Sequence, residues 1–163
     1  MPVVHMRIDN RLIHGQVTVA WASHLSADHM IVCNDKVAQD PIQKMMLPAA
    51  ARGVKTSVLS VADTLAYCAS PEAEQERIFI IAKFPSDALA LLDGGLKPQE
   101  INVGNQAPIP GTKFTMVTRT CAVTPEDAAI YREIVRRGYE LTGRMVPADP
   151  KNNFIELITK KGL

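Results

Sequence analysis

The chain has 163 residues, 47% of them hydrophobic and 21% charged, with a formal net charge of +1. These are globular proportions with a length that can bury a sizeable core, and the balanced, intermixed charges give no electrostatic case for nucleic acid. No apolar run approaches the ~18 residues of a membrane span, and the N-terminus lacks the basic start, apolar run and cleavage site of a signal peptide.

Residues 2–8 form an apolar run that predicts a first strand. The polar turn Asp9-Asn10-Arg11 follows, then His14-Gly15-Gln16. Val17, Ala20, Trp21 and Leu25 next recur at helical spacing. The run 29–33 predicts a second buried strand, with His24 and His29 solvated on either side of the connecting loop. Asn34-Asp35-Lys36 reads as a turn, these being turn-forming residues. Asp40-Pro41 with Gln43 is a helix start: a capping Asp, Pro at the first position and an amide reaching back. The spacing of Ile42, Met45, Met46 and Ala49 predicts the core-facing stripe of that helix, the methionines serving as core filler. Gly53 ends it.

Residues 54–59 predict a third strand, and Ser60 caps a helix that turns Leu65 and Ala66 inward. Residues 70–77 are a polar connector. The unbroken apolar run 78–82 reads as a strand covered on both faces. Lys83 would lie at its carboxyl end, before a helix over 86–92 that carries Leu89 and Leu92 inward and stops at Gly94-Gly95. Residues 100–103 give a short fifth strand, and Pro108, Pro110 and Gly111 mark an irregular loop. A further strand is expected within 113–123. Thr124-Pro125 opens a helix with Ala128, Tyr131, Ile134 and Val135 buried. Residues 139–145 alternate, as a half-exposed and antiparallel edge strand would. Asp149-Pro150 predicts the start of a last helix. Alternating strands and helices of this kind predict an α/β fold. It would be one doubly wound, mostly parallel sheet of about seven strands, forming a single domain over residues 1–163.

The three cysteines, Cys33, Cys68 and Cys121, are far apart and form no C-x-x-C pair. Zinc and thioredoxin-like chemistry are therefore not expected, and the thiols read as small buried hydrophobes in a reducing compartment.

The stretch 6–21 carries the chemistry. It sets a histidine between a first strand and a first helix, the place where open α/β sheets bind ligands. The unpaired N–H groups of a helix start suit a phosphate. Imidazole is a nucleophile at neutral pH. Arg11 offers a planar fork for phosphate oxygens. Asp9 can hold the ring nitrogen not in use or orient Arg11, and Gly15 allows close backbone approach. Against this stands the plain reading of a surface histidine beside an Asp9–Arg11 turn pair.

R-I-D-N-R-L-I-H-G-Q-V, residues 7–17, closely resembles the active-site segment of the mannose/fructose/sorbose-type enzyme IIB components of the bacterial sugar phosphotransferase system (PTS). V-C-N-D (32–35) and I-N-V-G-N (101–105) resemble two further segments of that family, and V-C-N-D with G-V-K-T-S-V-L-S-V is most similar to sorbose-type members. The resemblance implies that His14 is transiently phosphorylated on Nδ1 and that Arg11 holds the phosphoryl oxygens; Asp9, by its own chemistry, is the catalytic partner expected beside them. Backbone groups at Gly15 and Gln16 would add to the phosphate site. Asn34, Asp35, Lys83 and Asn105 are candidate lining residues. It also implies phosphorylated enzyme IIA as donor, sugar at membrane enzymes IIC and IID as acceptor, and a cytoplasmic protein that docks on the membrane through them, with a homodimer left open. No metal or cofactor is called for, since the fixed charges come from the protein. Gln106 departs from the pattern, where an apolar residue is expected after V-G-N, and this bears on the packing of that loop. The rival expectations are a non-catalytic module that binds a phosphorylated ligand and a regulatory module on the same fold. No Walker or dinucleotide glycine motif is present to suggest a nucleotide enzyme.

Overall fold

The computed structural model describes residues 2–163. In chain order it runs β1 (Val3–Asp9), α1 (Gly15–Leu25), β2 (His29–Cys33), α2 (Asp35–Ala38), α3 (Pro41–Ala50), β3 (Lys55–Leu59), α4 (Val61–Cys68), a 3-10 turn (Pro71–Gln75) and β4 (Ile78–Ala82). Then come α5 (Pro85–Asp93), β5 (Ile101–Asn105), β6 (Thr115–Met116), β7 (Ala122–Val123), α6 (Pro125–Arg136), β8 (Leu141–Gly143), β9 (Asn152–Asn153) and α7 (Phe154–Lys160). One seven-stranded sheet has the order β3-β2-β4-β1-β5-β8-β9. All pairings in it are parallel except β8 with β9. The fold is the expected α/β sheet.

The direction of each crossover decides which face a helix covers. From β1 the chain steps to β2 and then to β3, both moves toward one edge. From β3 it returns to β4, and it then crosses β1 to β5 and β8. Right-handed crossovers put helices of opposite travel on opposite faces. Two clusters of buried side chains match this. Trp21 and Ala22 of α1, Val37 of α2 and Leu47 of α3 pack with Met30, Val32, Phe79 and Ile81 on one face. Leu91 of α5, Tyr131 and Ile134 of α6, and Phe154 and Ile158 of α7 pack with Met6, Ile8, Ile31 and Ile80 on the other. Strands β2 and β4 are buried throughout because they are covered on both sides.

The helix starts follow their capping chemistry. Asp40 accepts from the N–H groups of Ile42 and Gln43, and the Gln43 amide reaches back to it at 3.0 Å. Ser60 and Thr124 cap α4 and α6 through the N–H groups of Asp63 and Asp127.

Several expectations are corrected. The strand expected within 113–123 is instead the hairpin β6–β7, outside the main sheet. Residues 141–143 run parallel to β5, and the antiparallel edge strand is β9. The last helix is capped by Asn153, not Asp149, and starts at Phe154. Asn34-Asp35-Lys36 is no plain turn: the Asn34 side chain caps the short helix α2. Ala20 and Ala66 face solvent, while Thr18 is buried in α1 beside Trp21 and Ala22, and Thr64 is the buried member of α4. Ile42, Met45, Met46 and Ala49 also point outward. Helix α3 has two apolar stripes, and the sheet takes the one with Leu47, which leads to buried Ala51.

His29 is fully buried, not solvated. Its ring nitrogens meet Glu76 at 2.7 Å and Ser57 at 2.8 Å. Nor is β1 simply apolar. His5, Arg7 and Asp9 alternate with Met6 and Ile8, and this polar row is buried on the face that α1 covers. His5 lies 4.9 Å from the Trp21 ring and bonds Asn102 Oδ1 at 2.8 Å.

Burial lowers the His5 pKa from 6.5 to about 4, overcoming the opposite pull of Asn102 and Glu100. The unfolded imidazole therefore takes up its proton near pH 6.5, and the folded one does so only near pH 4. Stability should be complete above that window and fall by up to about 3 kcal/mol on acidification through it. Thermal unfolding against pH checks this, and His5→Gln should flatten the acid limb by the His5 share.

Candidate active site at the carboxyl edge of the sheet

Asp9 ends β1 at the carboxyl edge and organises the loop that follows. Its Oδ1 accepts from the Arg11 N–H at 2.9 Å, and its carbonyl accepts from the Leu12 N–H at 3.2 Å. Leu12 adopts φ 63°, a left-handed conformation that is uncommon for a branched residue. It is held there because Leu12 and Ile13 are both buried in the apolar cluster under α1. This anchoring turns the chain so that His14 faces back toward Asp9.

The His14 Nε2 lies 3.1 Å from Asp9 Oδ2. Nδ1 is thus the ring nitrogen turned away from the carboxylate, and the His14 side chain is 22% exposed. The Arg11 Nε lies 3.6 Å from Asp9 Oδ1, and its guanidinium contacts Met145 Sδ at 3.4 Å. With its amide oxygen toward Arg11, Asn105 accepts from Arg11 Nε at 3.1 Å and donates to the Thr120 carbonyl at 3.3 Å. Arg11 is exposed, so its fork stands at the surface, and it shares the Asp9 carboxylate with His14.

Helix α1 begins directly at this histidine. Gly15 takes φ +52°, which glycine adopts without the strain a side chain brings. No side chain caps the helix, and its first turn contains no acidic residue. The His14 N–H donates to Thr18 Oγ1 at 3.0 Å, leaving the next N–H groups directed at the edge where His14 stands. Gln16 offers its backbone here, while its side chain is exposed.

Beneath the loop lies a buried charge. Arg7 is 2% exposed. Its Nε meets Asp9 Oδ2 at 3.3 Å, and its terminal nitrogens donate to the carbonyls of Arg144 and Met145, each at 2.9 Å. Its Cζ sits 5.2 Å from the Trp21 ring centroid, and Arg144 Cζ lies 4.8 Å from the same centroid. Trp21 Nε1 donates to the Met145 carbonyl at 2.8 Å. Gly104 makes room for this arrangement, because a Cβ there would run into the Arg7 guanidinium. Burial lowers the Arg7 pKa and Asp9 raises it. Arg7, Trp21, Gly104 and Met145 are the site residues that sequence reasoning missed. A charged residue inside an apolar strand, together with a glycine in a buried parallel neighbour, was the available signal.

The candidate lining residues fare differently. Asn105 joins Arg11. Asn34 and Asp35 lie on the same edge but follow β2, which β4 separates from β1, some 10 Å away at ordinary strand spacing. Both are occupied structurally. Asn34 caps α2 and donates to Asp87 at 2.9 Å, and Asp35 accepts from the Val61 N–H at 2.9 Å. Lys83 Nζ stands 5.2 Å over the Phe84 ring, and none of its hydrogen bonds or ion pairs reaches Asp9, Arg11 or His14. The departing Gln106 has a clear role: it is buried, and its amide joins the Lys83 and Asn105 carbonyls at 3.0 and 2.9 Å. Cys33 is buried, as expected of a small hydrophobe, and burial pushes its thiol up to about 12. A cleft of about 580 Å³ lies beside this loop and not at it. Gly104, Thr120, Arg144 and Met145 line it, and His14 does not.

A doubly wound sheet with an Asp–Arg–His loop at its carboxyl edge, running into an uncapped helix, defines a class of α/β protein suited to hold a phosphoryl group. The sequence profile of the family described as "PTS system sorbose subfamily IIB component" matches residues 3–163, and the chain belongs to that family. It is 34% identical over 161 residues to the sorbose-specific EIIB component of Klebsiella pneumoniae, covering 98% of this chain and 97% of that one. The crystal structure of the IIB domain of the Klebsiella pneumoniae sorbose permease superposes with a TM-score of 0.94 at 32% identity, over 100% of this chain and 99% of that one. The mannose-specific EIIAB component of Escherichia coli K12 is 36% identical over 155 residues, covering 94% of this chain and 47% of the relative. Among the described residues no helix is long and apolar enough to cross a membrane.

Gly104→Ala should cost about 1–3 kcal/mol by overpacking the buried guanidinium. Arg7→Leu should cost about 3–5 kcal/mol by leaving Asp9 buried without its partner. Urea denaturation checks both. In an Arg7→Ala background the Gly104 substitution should cost little, a coupling that a double-mutant cycle reads directly.

Proposed function

We propose that this IIB component is a phosphoryl carrier and that His14 is its phosphorylated residue. One observation carries the reading: Asp9 engages Nε2, so Nδ1 is left toward solvent beside Arg11 and the start of α1. Residues 1–163 act in it as one IIB unit.

In the first step Nδ1 of neutral His14 attacks the phosphorus of phosphorylated enzyme IIA in line. The new N–P bond forms as the donor's N–P bond breaks, and that electron pair returns to the donor imidazole. Positive charge grows on the His14 ring, and the Asp9 carboxylate at Nε2–H stabilises it. Arg11 and the N–H groups of Gly15 and Gln16 neutralise the transferring oxygens. In the second step a hydroxyl of a sugar held by membrane enzymes IIC and IID attacks the same phosphorus. His14 leaves with the bonding pair, its Nε2–H still held by Asp9, and the hydroxyl proton passes to a base on the acceptor side. The chain thus serves as the IIB subunit of a protein-Nπ-phosphohistidine–sugar phosphotransferase. It works in the cytoplasm at the inner membrane face and requires neither metal nor cofactor. Asp9, Arg11 and Arg7 form one chain of charges, and Arg7 acts through Asp9 as a positioning residue.

Incubation with phosphoenolpyruvate, the general PTS proteins and a mannose-class enzyme IIA should add one phosphoryl group to the intact mass. The adduct should be acid-labile, alkali-stable, assigned to Nδ1 by NMR, and absent in His14→Ala. Arg11→Gln should slow its formation by roughly 10²–10³-fold, the scale of losing one preorganised donor. Saturable binding of phosphorylated small molecules with no covalent adduct would instead favour a non-catalytic anion-binding or regulatory module.

A further inference from the structure

Helix α3 presents an apolar stripe that none of the described residues covers. Ile42, Met45 and Met46 are 63%, 72% and 59% exposed. They sit at i, i+3 and i+4, with exposed Ala49 next in line, so they form one continuous patch. Its area is on the order of a few hundred Å², the size at which an exposed apolar patch marks an interaction site.

The position of α3 points to the partner. β2 ends at Cys33 on the carboxyl edge, and Asp40 caps α3 there before the chain runs back to start β3 parallel to β2. Ile42, Met45 and Met46 therefore lie within about 9 Å of the helix start along its axis, on the side of the molecule that carries His14. Leu12 and Ile13 of the His14 loop, Val17 of α1 and Leu47 of α3 belong to one apolar cluster, so the loop and the sheet-facing side of α3 rest on the same packed core. The loop itself is polar and half-exposed. A protein that exchanges a phosphoryl group with His14 needs a footprint of about 800 Å² with an apolar, methionine-tolerant centre, and the loop alone lacks one.

We infer that the Ile42–Met45–Met46 face of α3 is the apolar part of the docking surface for the phosphoryl donor, an enzyme IIA protein seated across α3 and the His14 loop. This rests on the carrier reading above. The area favours a transient donor over a second copy: a symmetric contact through the patch alone would bury well under the ~2,000 Å² of an obligate dimer. A relative in which a IIB-like half shares its name and chain with an A part, the mannose-specific EIIAB component, fits the same pairing. Methionine side chains adapt to a surface that must be released after each transfer.

The test measures initial rates of His14 phosphorylation against concentration of phosphorylated enzyme IIA, using a panel of mannose-class donors. The variants are Met45→Glu, Met46→Glu and the conservative Met45→Leu. Both positions are exposed, so circular dichroism and Tm should match the wild type. The glutamate variants should raise KM for the donor about tenfold or more while kcat at saturation stays within twofold, and Met45→Leu should retain wild-type KM. Wild-type KM in both glutamate variants would overturn the inference while leaving the carrier reading intact. It would also be overturned if KM held and sedimentation showed a wild-type dimer lost in Met45→Glu, or if KM held and only binding to phosphatidylglycerol vesicles was lost. A wild-type chain that no donor phosphorylates would overturn both readings together.

Discussion

The buried pair of Arg7 and Asp9 constrains the rest of the site. A guanidinium at 2% exposure needs a counter-charge and hydrogen-bond acceptors for its remaining donors. Asp9 supplies the first, and the carbonyls of residues 144 and 145 supply the second. Those carbonyls come from the loop after β8, so the pair stitches the first strand to a segment well over a hundred residues later. Trp21 covers the assembly from α1 and donates to one of the same carbonyls. Gly104 leaves the volume the guanidinium fills. Each of these residues has few alternatives once Arg7 is inside.

That constraint reaches the surface through Asp9. Its Oδ2 is shared by Arg7 and His14, and its Oδ1 sets the turn through the Arg11 N–H. The carboxylate is buried, so it cannot swing to water, and the histidine and arginine that lean on it inherit its fixed position. A rigid acceptor behind Nε2 is a preorganised arrangement, in which orientation is settled before any partner arrives. Leu12 pays for part of this order with a left-handed backbone, held by the burial of its own side chain.

The two faces of the sheet are unequally used. The face under α4, α5, α6 and α7 holds the larger apolar cluster, built from aromatic and branched side chains. The α1 face mixes a smaller cluster with the polar row of β1. It is also the face on which α3 keeps its methionines outside. The larger share of apolar packing thus lies on one side, and the His14 loop crosses the carboxyl edge between the two.

Much of this was legible from the residues alone. Unbroken runs such as 78–82 announce strands covered on both faces, Asp40-Pro41 and Thr124-Pro125 mark helix starts, and the 7–17 segment carries the family's pattern, because strand burial, capping and motif spacing are local properties of a chain. The sequence by itself determined the α/β alternation, most helix starts and the grouping of Asp9, Arg11 and His14, which are at most five residues apart. Only the tertiary structure decided that Arg7 is the charge beneath Asp9, that Gly104 is the gap it needs, and that β9 and not 139–145 forms the antiparallel edge. It also turned Ile42, Met45 and Met46 outward and buried His29. Each of these depends on which of two faces meets the sheet, or on a partner tens to more than a hundred residues away. Periodicity fixes that a stripe exists but not which stripe is covered, and a buried charge can be read only once its distant partners are in place.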